Sequence, residues 1–402
     1  MKTKVILLPI FTTLYLYSQT LQEVIDYSLQ NNYQIQTLQE EFGIVDAQAK
    51  IVGAWADPIL KVGINDIQAV RPLSRNIEAM QNQYVSLSQT IPLSNHLEIA
   101  SNVEREKLLI LEQKREVLSV NIAFEVRKAF IEAQYAKRSL KILDEYIAFL
   151  KKPLNLLVSL SAVEQNGVER YIKTELLQKS YQLQRESWIE NIQIAKERLE
   201  LIGNIHIDSF SDEVALKDYS HQSVEELLYI LNRDNPQLKM QEALQNVANK
   251  EIELARAKEQ TDLTVTGGYY QRFDRNDYIS LSVSVPLYIH KKQENQTVQA
   301  MKRANIQNIS YQQTKVQLEQ ELKITLHQLK SLKQELKILN QTQSKIEKLI
   351  ANAKSKLLLG GSLLHYYELF TQRVNNQLAI NKKNLAIALK ENKIYQLLGV
   401  VQ

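Results

Sequence analysis

From Tyr278 to Leu287 the chain alternates strictly: Ile279, Leu281, Val283, Val285 and Leu287 fall on one side, and Ser280, Ser282 and Ser284 on the other. Period-two alternation predicts a strand with one greasy face and one small polar face. Gln83 to Leu93 is a weaker copy of the same pattern. After Pro58, Leu60, Val62 and Ile64 alternate with Lys61, Gly63 and Asn65. Further on, Leu263, Val265 and Tyr269 alternate with Thr264, Thr266 and Gly268. About nine to eleven tilted residues of this kind span a bilayer as one stave of a barrel. Strands are therefore predicted at about 58–68, 83–93, 262–270 and 278–287. Elsewhere the spacing is helical. Leu38, Phe42, Val45, Ala49 and Val52 form one stripe, and Leu322, Leu326, Leu329, Leu336, Leu339, Ile346 and Ile350 hold heptad-like spacing. That spacing predicts coiled-coil packing. The helix after Pro92 is predicted to run to about Gln165, roughly 100 Å at 1.5 Å per residue.

The pattern occurs twice. Thr20-Leu-Gln-Glu23 and Ser223-Val-Glu-Glu226 are capping boxes 203 residues apart, and Asn32 with Gln34 is followed at the same offset by Asn235 with Gln237. At the second strand of each half the offset is 194, from Tyr84 to Tyr278 and from Pro92 to Pro286. The difference lies in the connection between the paired strands, long from about Ala69 to Asn82 and short from Gln271 to Asp277, as suits an exposed hairpin tip. Each copy thus reads helix, β-hairpin, long helix, break, helix. The predicted organisation is a signal peptide at 1–18, a first repeat at 19–203 with its helical hairpin at about 94–203, a linker or equatorial segment at 204–222, and a second repeat at 223–402 with its hairpin at about 288–399.

Pro92 and Pro286 stand where alternation gives way to helical spacing. Proline has no N–H and suits a strand end or helix start, so both are predicted barrel-to-helix joints. Tyr84, Tyr269, Tyr270, Tyr278 and Tyr288 fall near strand ends, which predicts a place for them in the headgroup layer.

Lys2 and Lys4 precede an apolar run from Val5 to Tyr17 and then Ser18, the pattern of a secretory signal cleaved after Ser18. No other segment approaches about 18 consecutive apolar residues, so no helical anchor is expected. Formal charge is +4 with 23% charged residues, which argues against a nucleic-acid partner. Only ten glycines and seven prolines occur in 402 residues, as long unbroken helices require. There are no cysteines, which excludes disulfides, cysteine metal sites and a thiol nucleophile. The six histidines form no i, i+4 pair, and no phosphate-binding loop, nucleophile elbow or dinucleotide fingerprint is present. No catalytic residue, metal site or cofactor is expected.

Two copies of this plan, with T-I-P-L and S-V-P-L at the joints, resemble the TolC-like outer-membrane efflux family over essentially the whole mature chain. The resemblance implies a mainly α fold with β-barrel strands: three protomers close one twelve-stranded outer-membrane barrel, above a periplasmic coiled-coil tunnel of α-helices. It implies a homotrimer, an adaptor (membrane fusion) protein and an inner-membrane pump, of the resistance-nodulation-division type, as partners. The cell outer membrane is the implied location, with most of the chain in the periplasm. The family's helix breaks carry a tip glycine contacted by the adaptor; matching positions here are Gly167 and Val168 in copy one and Gly360, Gly361, Ser362 and Leu363 in copy two. Its tunnel narrows near these tips, often with acidic side chains, which marks Glu368 as a pore gate. The expected function is an exit duct for small molecules or metal ions in a tripartite efflux system. Alternatives are the duct of a type I protein secretion system and, in another class, a periplasmic coiled-coil adaptor or scaffold.

Overall fold

A computed structural model describes residues 20–160, 167–210, 214, 216–219, 221–357 and 362–401. The signal-peptide residues, Gly360 and Gly361 lie outside the described residues. The element order is α1 (Leu21–Asn31), α2 (Tyr33–Gly53), β1 (Ile59–Asn65), β2 (Asn82–Ile91), α3 (His96–Leu160) and α4 (Gly167–Gly203), followed by α5 (Val224–Asp234), α6 (Pro236–Ala257), β3 (Leu263–Gln271), β4 (Tyr278–Ser284), α7 (Lys292–Leu357) and α8 (Leu363–Leu397). The second six elements repeat the first six in kind and order.

The helix starts follow the capping signals. Thr20 Oγ1 accepts from the Glu23 amide while the Glu23 carboxylate accepts from the Thr20 amide at 2.8 Å. Ser223 accepts from the Glu226 amide at 3.1 Å. Each short helix ends on an asparagine that ties it to the close of its own repeat: Asn32 Nδ2 donates to the Ile202 carbonyl at 2.6 Å, and Asn235 Nδ2 to the Leu397 carbonyl at 2.8 Å.

The chain divides into two compact units. The first comprises residues up to Gln36, Glu116–Asn235 and Val316–Gln402. Its main core joins α1, α3 and α4 through Val24, Ile25, Ile122, Val126, Phe130 and Leu199. Ile205, Ile207 and Phe210 belong to the same core, with Phe130 and Phe210 edge to face at 5.0 Å. Ile205, Ile207 and Phe210 thus anchor the start of the segment that joins the repeats. On α7 the heptad stripe buries Leu322, Leu329 and Ile346, and Leu336 and Leu339 are half-buried.

The second unit comprises Thr37–Arg115 and Pro236–Lys315 and holds all four strands. They form one antiparallel sheet in the order β1-β2-β3-β4, two hairpins joined through β2 and β3. Tyr84 pairs with Gly63 and Tyr270, and Tyr270 with Tyr278. β4 stops at Ser284, short of the alternation's end at Leu287, because Pro286 cannot donate to a ladder.

Candidate functional site

The sheet is inside out relative to a soluble protein. Leu60, Val62, Val85, Leu87, Leu281 and Val283 share one face by register, and all are exposed, Val62 at 77% and Leu281 at 75%. On the other face Ser86 and Ser88 are buried, at 5% and 8%. Hydroxyls pair across the repeat boundary there: Ser88 Oγ lies 2.8 Å from Thr266 Oγ1, and Thr90 Oγ1 3.1 Å from Thr264 Oγ1. Burying hydroxyls while baring aliphatic side chains is unfavourable in water, since each buried CH2 is worth about 0.8 kcal/mol. In hydrocarbon the sign reverses. The aliphatic face suits lipid and the hydroxyl face suits water.

The hairpin tips differ in build. The first connection, residues 66–81, is folded around two side chains. Arg75 donates to the carbonyls of Asn65 at 2.7 Å and Asn82 at 3.1 Å, and Gln81 donates to those of Asp66 and Ser74, both at 3.0 Å. The second tip, 272–277, is short, and Arg272 closes it on the Asn276 carbonyl at 2.6 Å. Pro92 directly follows β2, and Pro286 lies two residues beyond β4, each before a long helix.

The helix breaks belong to the first unit. Gly167 opens α4, with Val168 exposed in its first turn. Ser362 caps α8, accepting from the His365 amide at 3.4 Å, and Leu363 is the first helical residue. Glu368 is exposed, with one oxygen 3.8 Å from His365 Nδ1. The sequence reading missed that Ile172 and Leu176 extend the exposed stripe begun by Val168, although their i, i+4, i+8 spacing is visible.

Residues 227–400 match the outer membrane efflux protein family. Solved structures show a likeness of fold over 94–95% of the chain. CusC, crystallised to follow "conformational changes accompanying folding and transmembrane channel formation", is 15% identical, with 95% of this chain and 92% of that one covered at a TM-score of 0.75. The outer membrane protein VceC of Vibrio cholerae is 16% identical, covering 94% and 96% at 0.73. The MtrE outer membrane channel of Neisseria gonorrhoeae, in its open state, is 17% identical, covering 94% and 89% at 0.71. Curated protein sequences yield no match. The fold is that of these TolC-like outer-membrane channels.

In this fold the tyrosines do not all sit where the sequence placed them. Tyr269 shares the exposed apolar face with Val85 and Ile279 and so fits an interfacial girdle. Tyr84, Tyr270 and Tyr278 share register with Ser86, Gly268 and Ser280 and stand on the polar face. Their parity with the serines corrects the headgroup expectation for these three.

Behind the tips, α8 is held to α3 and α4 by aromatic rings. Phe149 stacks on Phe370 at 4.3 Å, and Tyr146 meets Tyr181 edge to face at 5.0 Å. Tyr146 shares a 2.6 Å hydrogen bond with Thr371, and Tyr181 donates to Asn375 at 2.7 Å. Burial pushes the Tyr146 phenol up to about 12. Tyr366 and Tyr367 turn towards Phe149. Among the described residues no group of side chains could hold a metal ion, and no helix is long and apolar enough to cross a membrane.

Proposed function

We propose that the protein is the outer-membrane channel of a tripartite efflux system, an exit duct for small molecules or metal ions. The two-faced sheet carries this reading, since its exposed aliphatic face fits lipid and its hydroxyl face fits a water-filled lumen. One copy leaves β1 and β4 as edges, and lipid tolerates no open edge, so further copies must close the barrel. Three copies would give twelve strands, beyond the roughly eight that side chains can plug. The duct has no energy source of its own. A resistance-nodulation-division pump in the inner membrane drives transport, reached through a periplasmic adaptor.

The adaptor docks at the helix breaks, on Gly167 and Val168 of one repeat and on Gly360, Gly361, Ser362 and Leu363 of the other. Ile172 and Leu176 extend that surface along α4. Glu368 stands on the exposed side of α8 in the turns just after the second break, where three copies would set a carboxylate ring around the tunnel and favour cations. The aromatic contacts of Tyr146 and Phe149 hold α8 in place until the adaptor engages.

The test is deletion and complementation, combined with cross-linking from Val168→Cys. Loss of the protein should sensitise cells to small toxic compounds or metal ions, and the introduced thiol should capture an adaptor. Loss of a secreted protein with unchanged susceptibility would instead assign the duct to protein secretion and overturn the efflux reading.

A further inference from the structure

The polar face of the sheet is not uniformly small. Along β2, β3 and β4 it carries only serine, threonine and glycine, until the register of Tyr84, Tyr270 and Tyr278 at the hairpin end. These three are direct cross-strand partners and their rings stack. The centroids of Tyr84 and Tyr270 are 5.3 Å apart at 22°, and those of Tyr270 and Tyr278 4.8 Å apart at 4°. Both flanks are closed. The Tyr84 ring lies across Gly63 of β1, where a Cβ would come within 2.6 Å of it. The Arg272 guanidinium lies 5.3 Å from the centroid of Tyr278. Ring faces are therefore occupied by one another, and ring edges and hydroxyls project from the row.

We propose that Tyr84, Tyr270 and Tyr278 form the narrowest ring of the barrel lumen near its outer mouth, a size filter against bulky solutes entering the barrel from outside. This rests on the channel reading above, in which three copies bring three such rows around one lumen. Tyrosine projects much further from a strand than serine or threonine does. Stacking across three strands keeps the rings from swinging aside, since each would lose its neighbour's contact. Ile59 and Lys61 are the other long side chains on this face, and both lie on β1, with serines as their partners on β2. Lysine is flexible and can fold against the wall. Gly63 belongs to the filter because it leaves the space that Tyr84 fills, so a side chain there would displace the ring.

The chain has no cysteine, so a single thiol can be placed at will. Ser282→Cys puts one on the polar face, four residues along β4 from Tyr278, about 13 Å towards the helices. Intact cells are treated from outside with a small maleimide and with a bulky polymer-linked maleimide. The small reagent should label Ser282→Cys at the same rate with or without the tyrosines. The bulky one should react slowly, and severalfold faster when Tyr84, Tyr270 and Tyr278 are also changed to serine. Val283→Cys, on the opposite face, should show no such acceleration. An unchanged bulky-reagent rate in a protein that still forms outer-membrane trimers would refute the filter. If the triple variant does not assemble, Gly63→Ala must still alter that rate by displacing Tyr84, and an unaltered rate refutes the proposal equally. A wild-type protein that forms no outer-membrane trimer would remove the channel reading, and the filter with it.

Discussion

Ser88 and Thr266, 178 residues apart in the chain, share a 2.8 Å hydrogen bond between their side-chain oxygens. The bond stitches the second strand of the first repeat to the first strand of the second, on the face where Ser88 is buried. The neighbouring Leu87, 53% exposed, points the other way. The two environments make opposite predictions for adjacent residues. Leu87→Arg would place a charge among lipid tails at a cost of about 2–4 kcal/mol near the bilayer midplane. Ser88→Ala would lose one hydrogen bond, about 0.5–1.5 kcal/mol. The heat needed to dissociate the assembled protein on unboiled gels should fall sharply for the first and slightly for the second.

Asn32 and Asn235 hold equivalent places in the two repeats, each donating its side-chain amide to a carbonyl at the end of the repeat's last helix. Asn32→Asp or Asn235→Asp would replace the donor by an acceptor facing a carbonyl. Each should destabilise the first unit by about 1–3 kcal/mol, read as a lower denaturation midpoint. Asn→Ala changes should cost less than Asn→Asp.

The strands were legible because alternation marks both a strand and its faces, and Thr20, Ser223, Asn32 and Asn235 were legible because caps and repeats act locally. The placing of Tyr84, Tyr270 and Tyr278 was encoded too, in their even spacing from Ser86, Gly268 and Ser280. The general tendency of tyrosine towards headgroups outweighed that parity in the sequence reading. Ile205, Ile207 and Phe210 were not legible as core, since alternation over four residues is too short to show what the segment packs against. Val168, Ile172 and Leu176 could have been found as a stripe, but whether a stripe is covered depends on partners absent from one chain.

Tyr146 should show itself at alkaline pH. Its folded-state pKa, about 12, lies above the ordinary phenol value near 10, so the native state holds the proton more tightly than the unfolded chain. The stabilisation is fully present below about pH 10 and is lost as pH rises through about 12, a swing of roughly 3 kcal/mol. Melting temperature measured from pH 9 upwards should fall more steeply in the wild type than in Tyr146→Phe. Equal slopes would mean the phenol titrates as an exposed one.

Glu368 is exposed on α8, within 3.8 Å of His365. If three such carboxylates ring the tunnel, Glu368→Ala should lower the preference for cations over anions in single-channel recordings, and Glu368→Asp should largely keep it. Unchanged selectivity in the alanine variant would place Glu368 on an ordinary solvated helix face.

The mass and location of the native protein test the central claim most directly. Membranes are fractionated, extracted in mild detergent and analysed unboiled. The channel account predicts a species of about three times the 46.5 kDa chain in the outer-membrane fraction, collapsing to one chain on boiling. A soluble or inner-membrane monomer would contradict it and favour a periplasmic scaffold.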